Sequence, residues 1–230
     1  MAGETIKTEA ICLDVRPWSR TSHVVSWLTP SGSIATVVKG AMRPKSQFLG
    51  QYDLNYTCEI VYYTRQRGET HILRECSPVG MRERLRGSFR ALAVAGYFRS
   101  LAHDYAPSGS ECAEWFGALG SALDGLCRDP DGAASVGGMV TFELAVLRML
   151  GLKPELEAKA GAFSLRGERS IPVSGEVAAY LRAPVADAGN SKIALDAARA
   201  IGVFYTFHLD SAPEVRRSVL RMVAKNKEGQ

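Results

Sequence analysis

Val38-Lys39-Gly40-Ala41-Met42-Arg43-Pro44-Lys45-Ser46 is the stretch from which the rest of this chain is read. It follows Ser33-Ile34-Ala35-Thr36-Val37-Val38, a β-branched run that reads as a strand. Pro44 lacks a backbone donor and biases Arg43 away from the helical region, so the strand must give way to a loop. Gly40 supplies the backbone freedom for the turn. The loop presents Lys39, Arg43 and Lys45 within seven positions and contains no acidic residue. A short, stiff, cationic loop at a strand end is suited to touch a polyanion.

Working outward, the front of the chain reads as strands. Lys7 to Val15 alternates loosely, with Ile11, Leu13 and Val15 on one face. Arg16-Pro17-Trp18-Ser19-Arg20 is expected to be a turn, followed by a strand from His23 to Thr29 and a hairpin turn at Pro30-Ser31-Gly32-Ser33. Beyond the cationic loop, Tyr52, Leu54, Tyr56, Cys58, Ile60 and Tyr62 alternate with Asp53, Asn55, Thr57 and Glu59, the pattern of a half-buried strand. Arg65-Gln66-Arg67-Gly68 turns the chain, and Thr70 to Cys76 returns as a fifth strand. Five short strands in under 80 residues imply a small β-barrel of the oligonucleotide-binding type.

After Ser77-Pro78 the period becomes helical. Phe89 to Tyr105 is a long apolar helix, and Ser108-Gly109-Ser110-Glu111 fits a capping box for the next, with Cys112, Trp115, Phe116, Leu119, Leu123 and Leu126 at helical spacing. Val136 to Leu150 carries only Glu143 and Arg148 as charges and should be a central, buried helix. Residues 152–189 lack periodicity apart from one short helix near Ser174 to Leu181; a last helix begins near Ser191, and a basic piece, Arg216 to Lys227, ends the chain. The expected fold class is α+β multidomain: a five-stranded OB-type barrel over 1–78, then a helical domain over 79–230 with an irregular insertion at 152–189.

Composition narrows the function. At 46% hydrophobic and 23% charged residues the chain is ordinary for a globular protein. No apolar run nears the roughly 18 residues a membrane span needs. The N-terminus shows no signal-peptide core, so no membrane and a cytoplasmic setting are expected. Five widely spaced cysteines fit buried free thiols in a reducing compartment. Charge is uneven: residues 1–90 hold 13 Lys/Arg against 8 Asp/Glu, net +5, and the remainder 15 against 16, net −1. Any polyanion should meet the front of the chain.

No nucleophile elbow, Walker loop, zincin motif or dinucleotide fingerprint occurs, and His23, His71, His103 and His208 stand singly. An enzyme is therefore not expected, nor a cofactor or a metal. Candidate DNA contacts are Lys39, Arg43 and Lys45 in the loop, Arg16 and Arg20 around Trp18, Arg65 and Arg67, and Arg82, Arg86 and Arg90. Trp18 is the stacking candidate, whereas Tyr52, Tyr56 and Tyr62 share a face with Leu54, Cys58 and Ile60 and read as core. Cationic grooves with aromatic platforms bind single strands. Arg82, Arg86 and Arg90 share a helix face if the helix runs past Gly87; a solvated face and a phosphate track both fit them.

Thr8-Glu9-Ala10-Ile11-Cys12-Leu13, Ser22-His23-Val24-Val25, Leu28-Thr29-Pro30-x-Gly32 and, most specifically, Lys39-Gly40-Ala41-Met42-Arg43-Pro44-Lys45-Ser46 resemble the bacterial recombination mediator family RecO. Phe142-Glu143-Leu144-x-x-Leu147-x-x-Leu150-Gly151-Leu152-x-Pro154-x-Leu156 looks like that family's central helix and its exit. The resemblance implies an N-terminal OB barrel, a helical C-terminal domain and a role in DNA repair. It further implies binding of single- and double-stranded DNA, strand annealing, and recombinase loading with RecR and the single-strand-binding protein. The acidic tail of the latter would need an apolar groove rimmed by cations, expected between the helices Phe89–Tyr105 and Cys112–Leu126 near Arg99. Many family members carry two Cys-x-x-Cys pairs after the central helix for structural zinc. Here the first pair would fall near Lys159 and Ala162, and no cysteine follows Cys127, so a four-cysteine zinc cannot form. A scaffold whose helical domain docks a partner, with little DNA binding by the barrel, is the alternative reading.

Overall fold

A computed structural model describes residues 3–65, 70–108, 112–152, 154–159, 162–166, 171–184, 191–209 and 214–225. Five strands, β1 (Thr5–Ser19), β2 (Ser22–Thr29), β3 (Gly32–Val38), β4 (Thr57–Tyr63) and β5 (Thr70–Gly80), close into a barrel in the order β1-β2-β3-β5-β4. β1 closes it by serving two partners, pairing with β4 through Thr5–Ile11 and with β2 through Ile11–Ser19. The register shifts between Cys12 and Asp14, a bulge that bends β1 from one partner to the other. β3 and β5 pair parallel, with Ala35 opposite Thr70. Inside lie Cys12, Val25, Trp27, Val38, Cys58, Ile60, Leu73 and Cys76. Trp27 Nε1 donates to Thr36 Oγ1 at 2.9 Å, so the buried indole keeps a partner.

Two strand limits differ from the sequence expectation. Arg16–Arg20 is not a turn; β1 runs through Pro17 to Ser19, and the turn falls at Arg20 and Thr21. Pro17 is tolerated because the register shifts again between Pro17 and Ser19, where no ladder donor is needed. Tyr52 to Tyr56 alternates but precedes β4. The Asp53 carboxylate accepts from Leu54 N at 2.8 Å, and Asn55 takes φ 68°, a left-handed conformation that ends any strand. Tyr56 and Tyr62 are nonetheless buried, and Tyr52 packs on the barrel core, as the pattern implied.

The helices are α1 (Phe89–Tyr105), α2 (Ala113–Arg128), α3 (Val136–Met149), α4 (Gly175–Arg182), α5 (Lys192–His208) and α6 (Glu214–Ala224), so the barrel is followed by a helical half. The proposed cap at Ser108–Glu111 lies mostly outside the described residues. Ser135, Ser174 and Ser191 cap α3, α4 and α5, each accepting from a backbone N–H three residues on. Where irregular chain was expected within 152–189, three short strands form an antiparallel meander: β6 (Glu155–Lys159), β7 (Ala162–Arg166) and β8 (Ile171–Val173). Lys159 is paired with Ala162 in the β6–β7 ladder. Backbone ladders supply order to this segment. Among the described residues no cluster of three metal-ligating side chains occurs, and no helix is long and apolar enough to cross a membrane.

The chain packs as two units, Met1–Glu83 with Phe98–Asp124, and Arg84–Tyr97 with Gly125–Gln230. In the first, Arg82 takes φ 50°, and its guanidinium donates to Asp124 at 2.7 Å, the Asn55 carbonyl at 2.7 Å and Thr57 Oγ1 at 2.8 Å. Arg99 donates to the Leu13 carbonyl on β1. All five cysteines are free. Burial pushes the Cys12 thiol up, and a hydrogen bond with Cys76, then burial, does the same to Cys58. These thiols act as small hydrophobes.

The second unit centres on a buried ion pair. Glu143 of α3 is fully buried and binds Arg216 of α6 twice, at 2.8 and 2.9 Å. Tyr97 donates to the same carboxylate at 2.7 Å, and Arg216 also reaches the Ala198 carbonyl at 2.8 Å. Burial alone would lower the Arg216 pKa, but the Glu143 charge outweighs it and the net direction is up. Removing one partner of such a pair strands a buried charge. Glu143→Ala is therefore expected to lose about 3–5 kcal/mol in urea unfolding, whereas Glu143→Met with Arg216→Leu should recover most of it. An unchanged urea midpoint for Glu143→Ala would show that the pair does not hold α6.

Candidate nucleic-acid interface

Because β5, not β4, lies beside β3, the chain leaving Val38 must cross the barrel end before β4 begins. It does so as a run of tight turns, with Arg43, Ser46, Leu49 and Gln51 each donating a backbone N–H to the carbonyl three residues back. Ala41 and Phe48 are sunk in the barrel core and anchor the crossing. Gln47 Nε2 adds a bond to the Arg74 carbonyl at 2.9 Å. Gly40 sits at φ 68°, where a Cβ would also come within 3.3 Å of the Arg43 side chain. The residues between the anchors, Met42, Arg43, Pro44 and Lys45, are exposed, as is Lys39.

The same barrel end carries the β1–β2 turn. Met42 N donates to the Thr21 carbonyl at 3.0 Å, and Gly40 N to Ser22 Oγ at 3.2 Å, so the two loops are stitched together through their backbones. Trp18 falls where the register shifts between Pro17 and Ser19 and is 67% exposed. Bulges of this kind re-aim a side chain. The structure therefore brings Trp18 and Arg20 alongside Lys39, Arg43 and Lys45. Among the described residues none of these four cations has an ion-pair partner. Arg16 stands on the same strand end but pairs with Asp14.

The other candidates lie elsewhere. Arg65 is exposed where β4 ends and β5 is about to start, toward the barrel end at which β1 and β3 begin. Arg67 lies outside the described residues. The shared helix face for Arg82, Arg86 and Arg90 is not formed: a 3₁₀ turn spans Glu83–Gly87, α1 starts afresh at Phe89, and Arg82 is not helical. Arg82 spends its donors inside the first unit, Arg90 donates to the Val223 carbonyl, and Arg86 is exposed. Met42, 58% exposed beside Trp18's turn, was not singled out in the sequence. Its place between a buried Ala41 and Arg43 was the available signal.

The histidines are packed or peripheral: His23 bonds Tyr52 at 2.8 Å, His71 stacks on Tyr62, and His208 lies tilted against Phe204. In the second unit a pocket of about 290 Å³ opens between α3 and α4, lined by Leu144, Ala145, Pro154, Leu181 and the side chains of Arg148 and Arg182. The tail groove expected near Arg99 has no such rim, because that guanidinium is turned to β1.

The family models described as Recombination protein O N terminal and Recombination protein O C terminal match residues 1–82 and 86–224. The chain belongs to the recombination protein O family. Three proteins named DNA repair protein RecO are similar to it. The one from Roseiflexus sp. (strain RS-1) is 28% identical over 76% of this chain and 61% of its own length. That from Desulforudis audaxviator (strain MP104C) is 28% identical over 67% and 60%. That from Anaeromyxobacter sp. (strain K) is 27% identical over 73% and 65%. The match thus spans less than two thirds of these relatives' length. Among solved structures, Entamoeba histolytica asparaginyl-tRNA synthetase is similar over 45% of this chain and 33% of its own, at 12% identity and a TM-score of 0.28. That level carries no argument.

Trp27 is 0% exposed and Trp115 3%, so Trp18 is the tryptophan open to solvent. Iodide should quench it selectively, and a saturating oligonucleotide should shield it. Trp18→Ala is expected to weaken single-strand binding by about 1–3 kcal/mol. Quenching unchanged by bound oligonucleotide would remove Trp18 from the interface.

Proposed function

We propose that this chain is a non-catalytic mediator of DNA repair and recombination whose barrel binds single- and double-stranded DNA. The observation that carries the reading is the pair of stitched loops at one barrel end, with Lys39, Arg43, Lys45 and Arg20 around an exposed Trp18. Cations without acidic neighbours attract phosphate, and an exposed indole offers a platform for an unpaired base. The proposal includes annealing of complementary strands and loading of recombinase on DNA coated with single-strand-binding protein, with RecR as a partner; membership of the family supports it. Arg65, Arg67 and Arg86 are secondary contacts in this reading; Arg82 and Arg90 serve the fold.

The α3–α4 pocket supports docking of the acidic, hydrophobic tail of the single-strand-binding protein. Leu144, Leu181 and Pro154 offer the apolar floor, and Arg148 and Arg182 the positive rim. A short disordered peptide loses entropy on docking, so the affinity should be weak. Leu144→Asp should abolish binding of a labelled tail peptide while leaving oligonucleotide binding intact; retained peptide binding would place the tail elsewhere.

Lys39→Ala, Arg43→Ala and Lys45→Ala together should weaken binding to every DNA sequence. The triple change should also flatten the log–log salt slope for single strands by about two units, since each phosphate contact contributes about 0.7. A folded triple variant with the wild-type slope would sink the barrel reading and favour the scaffold alternative.

A further inference from the structure

α6 and the residue after it hold four basic residues, of which one faces in and three face out. Arg216, Val219 and Val223 are buried. The Arg216–Glu143 pair and the bond from Arg90 to the Val223 carbonyl fix the rotation of the helix about its axis. Arg217, Arg221 and Lys225 are thereby left on the opposite, exposed side. Lys225 follows the last helical residue, yet its N–H still bonds the Arg221 carbonyl at 3.3 Å, so the helical turn carries on through it. Four-residue spacing puts the three cations about 6 Å apart along the axis and within about 80° of one another.

Among the described side chains, none neutralises them. None of the three has an ion-pair partner among the described residues. The acidic residues on the elements packed against α6 are already engaged: Glu143 on α3 holds Arg216, and Asp196 on α5 pairs with Arg199 at 2.7 Å. The part of α1 in this unit, residues 89–97, has no acid at all. Unpaired exposed cations contribute nothing to stability, so a regular row of them on a rigidly held helix calls for a ligand with regularly repeated negative charge.

We infer that the outer face of α6 is a second nucleic-acid site, contacting the phosphates of a single strand through Arg217, Arg221 and Lys225. An acidic protein segment would want apolar anchors beside the charges; Val219 and Val223 are turned inward, and the exposed Val215 lies about 80° or more round the helix from the three cations. The site goes beyond the barrel reading and does not depend on it. Together the two would let one chain hold two strands.

The test uses the full chain and a tethered oligonucleotide saturated with protein, to which a labelled, non-complementary second oligonucleotide is added. Wild type should capture the second strand. R217Q/R221Q/K225Q should reduce capture at least about tenfold and flatten the salt slope of total binding by about two units. R217K/R221K, which keeps the charge, should behave as wild type and controls for folding, alongside the unfolding midpoint of each variant. A folded glutamine variant that captures as wild type overturns the inference. So does one that loses only poly-glutamate binding, which would assign the face to an acidic protein. Should the barrel triple variant bind normally while the α6 variant fails, the barrel reading falls and this site stands.

Discussion

One strand serving two neighbours is the constraint on which the barrel rests. β1 pairs with β4 in its first half and β2 in its second, and without that double duty the sheet would leave two open edges. The bend it requires is taken up at the Cys12–Asp14 bulge, and a second irregularity near its end lifts Trp18 out of the ladder. Closure also decides what the barrel end displays. With β5 inserted between β3 and β4, residues 39–56 must cross that end, and Phe48 is drawn into the core to secure them. The cationic tip lies between those anchors.

Chemically identical side chains have different fates here, and the local acceptors decide which. Arg82 meets a carboxylate and a carbonyl, Arg99 a strand carbonyl, and Arg216 a buried carboxylate. Each is withdrawn from solvent and fixed. Among the described residues Arg20, Lys39, Arg43, Lys45, Arg217, Arg221 and Lys225 meet none, and their charge stays at the surface. The buried pair at Glu143 is as much a matter of orientation as of stability, since well-packed apolar residues could match its energy. Its evident consequence is that α6 cannot rotate.

Strand alternation made the barrel legible, because one face of each strand must be buried and period two records that directly. Tyr52 to Asn55 misled for the same reason: its alternation is real, but an Asp side-chain turn and a left-handed Asn override it locally. The meander at 155–173 was hidden because its strands span only three to five residues and carry Glu and Lys, too short for a period to emerge. Lys39, Arg43 and Lys45 were readable from Pro44 and the missing acids. Whether Arg82 was a ligand contact or a structural tie was not, since its partners Asn55 and Asp124 lie 27 and 42 residues away. Glu143 was a partial signal, a lone acid in an apolar helix, but nothing in the sequence pointed from it to Arg216.

Under the two proposals, four cations at the barrel end and three on α6 would suit a mediator better than seven on one face. A face neutralising about three phosphates is weak at physiological salt and exchanges readily. Linking two such faces in one chain would make the second capture intramolecular, and overall hold would then exceed either affinity by orders of magnitude without any new contact. Release remains fast at each face, because either can let go while the other holds. The proposed role, bringing strands together and then leaving them to one another, would call for that combination, and one large basic groove would not supply it.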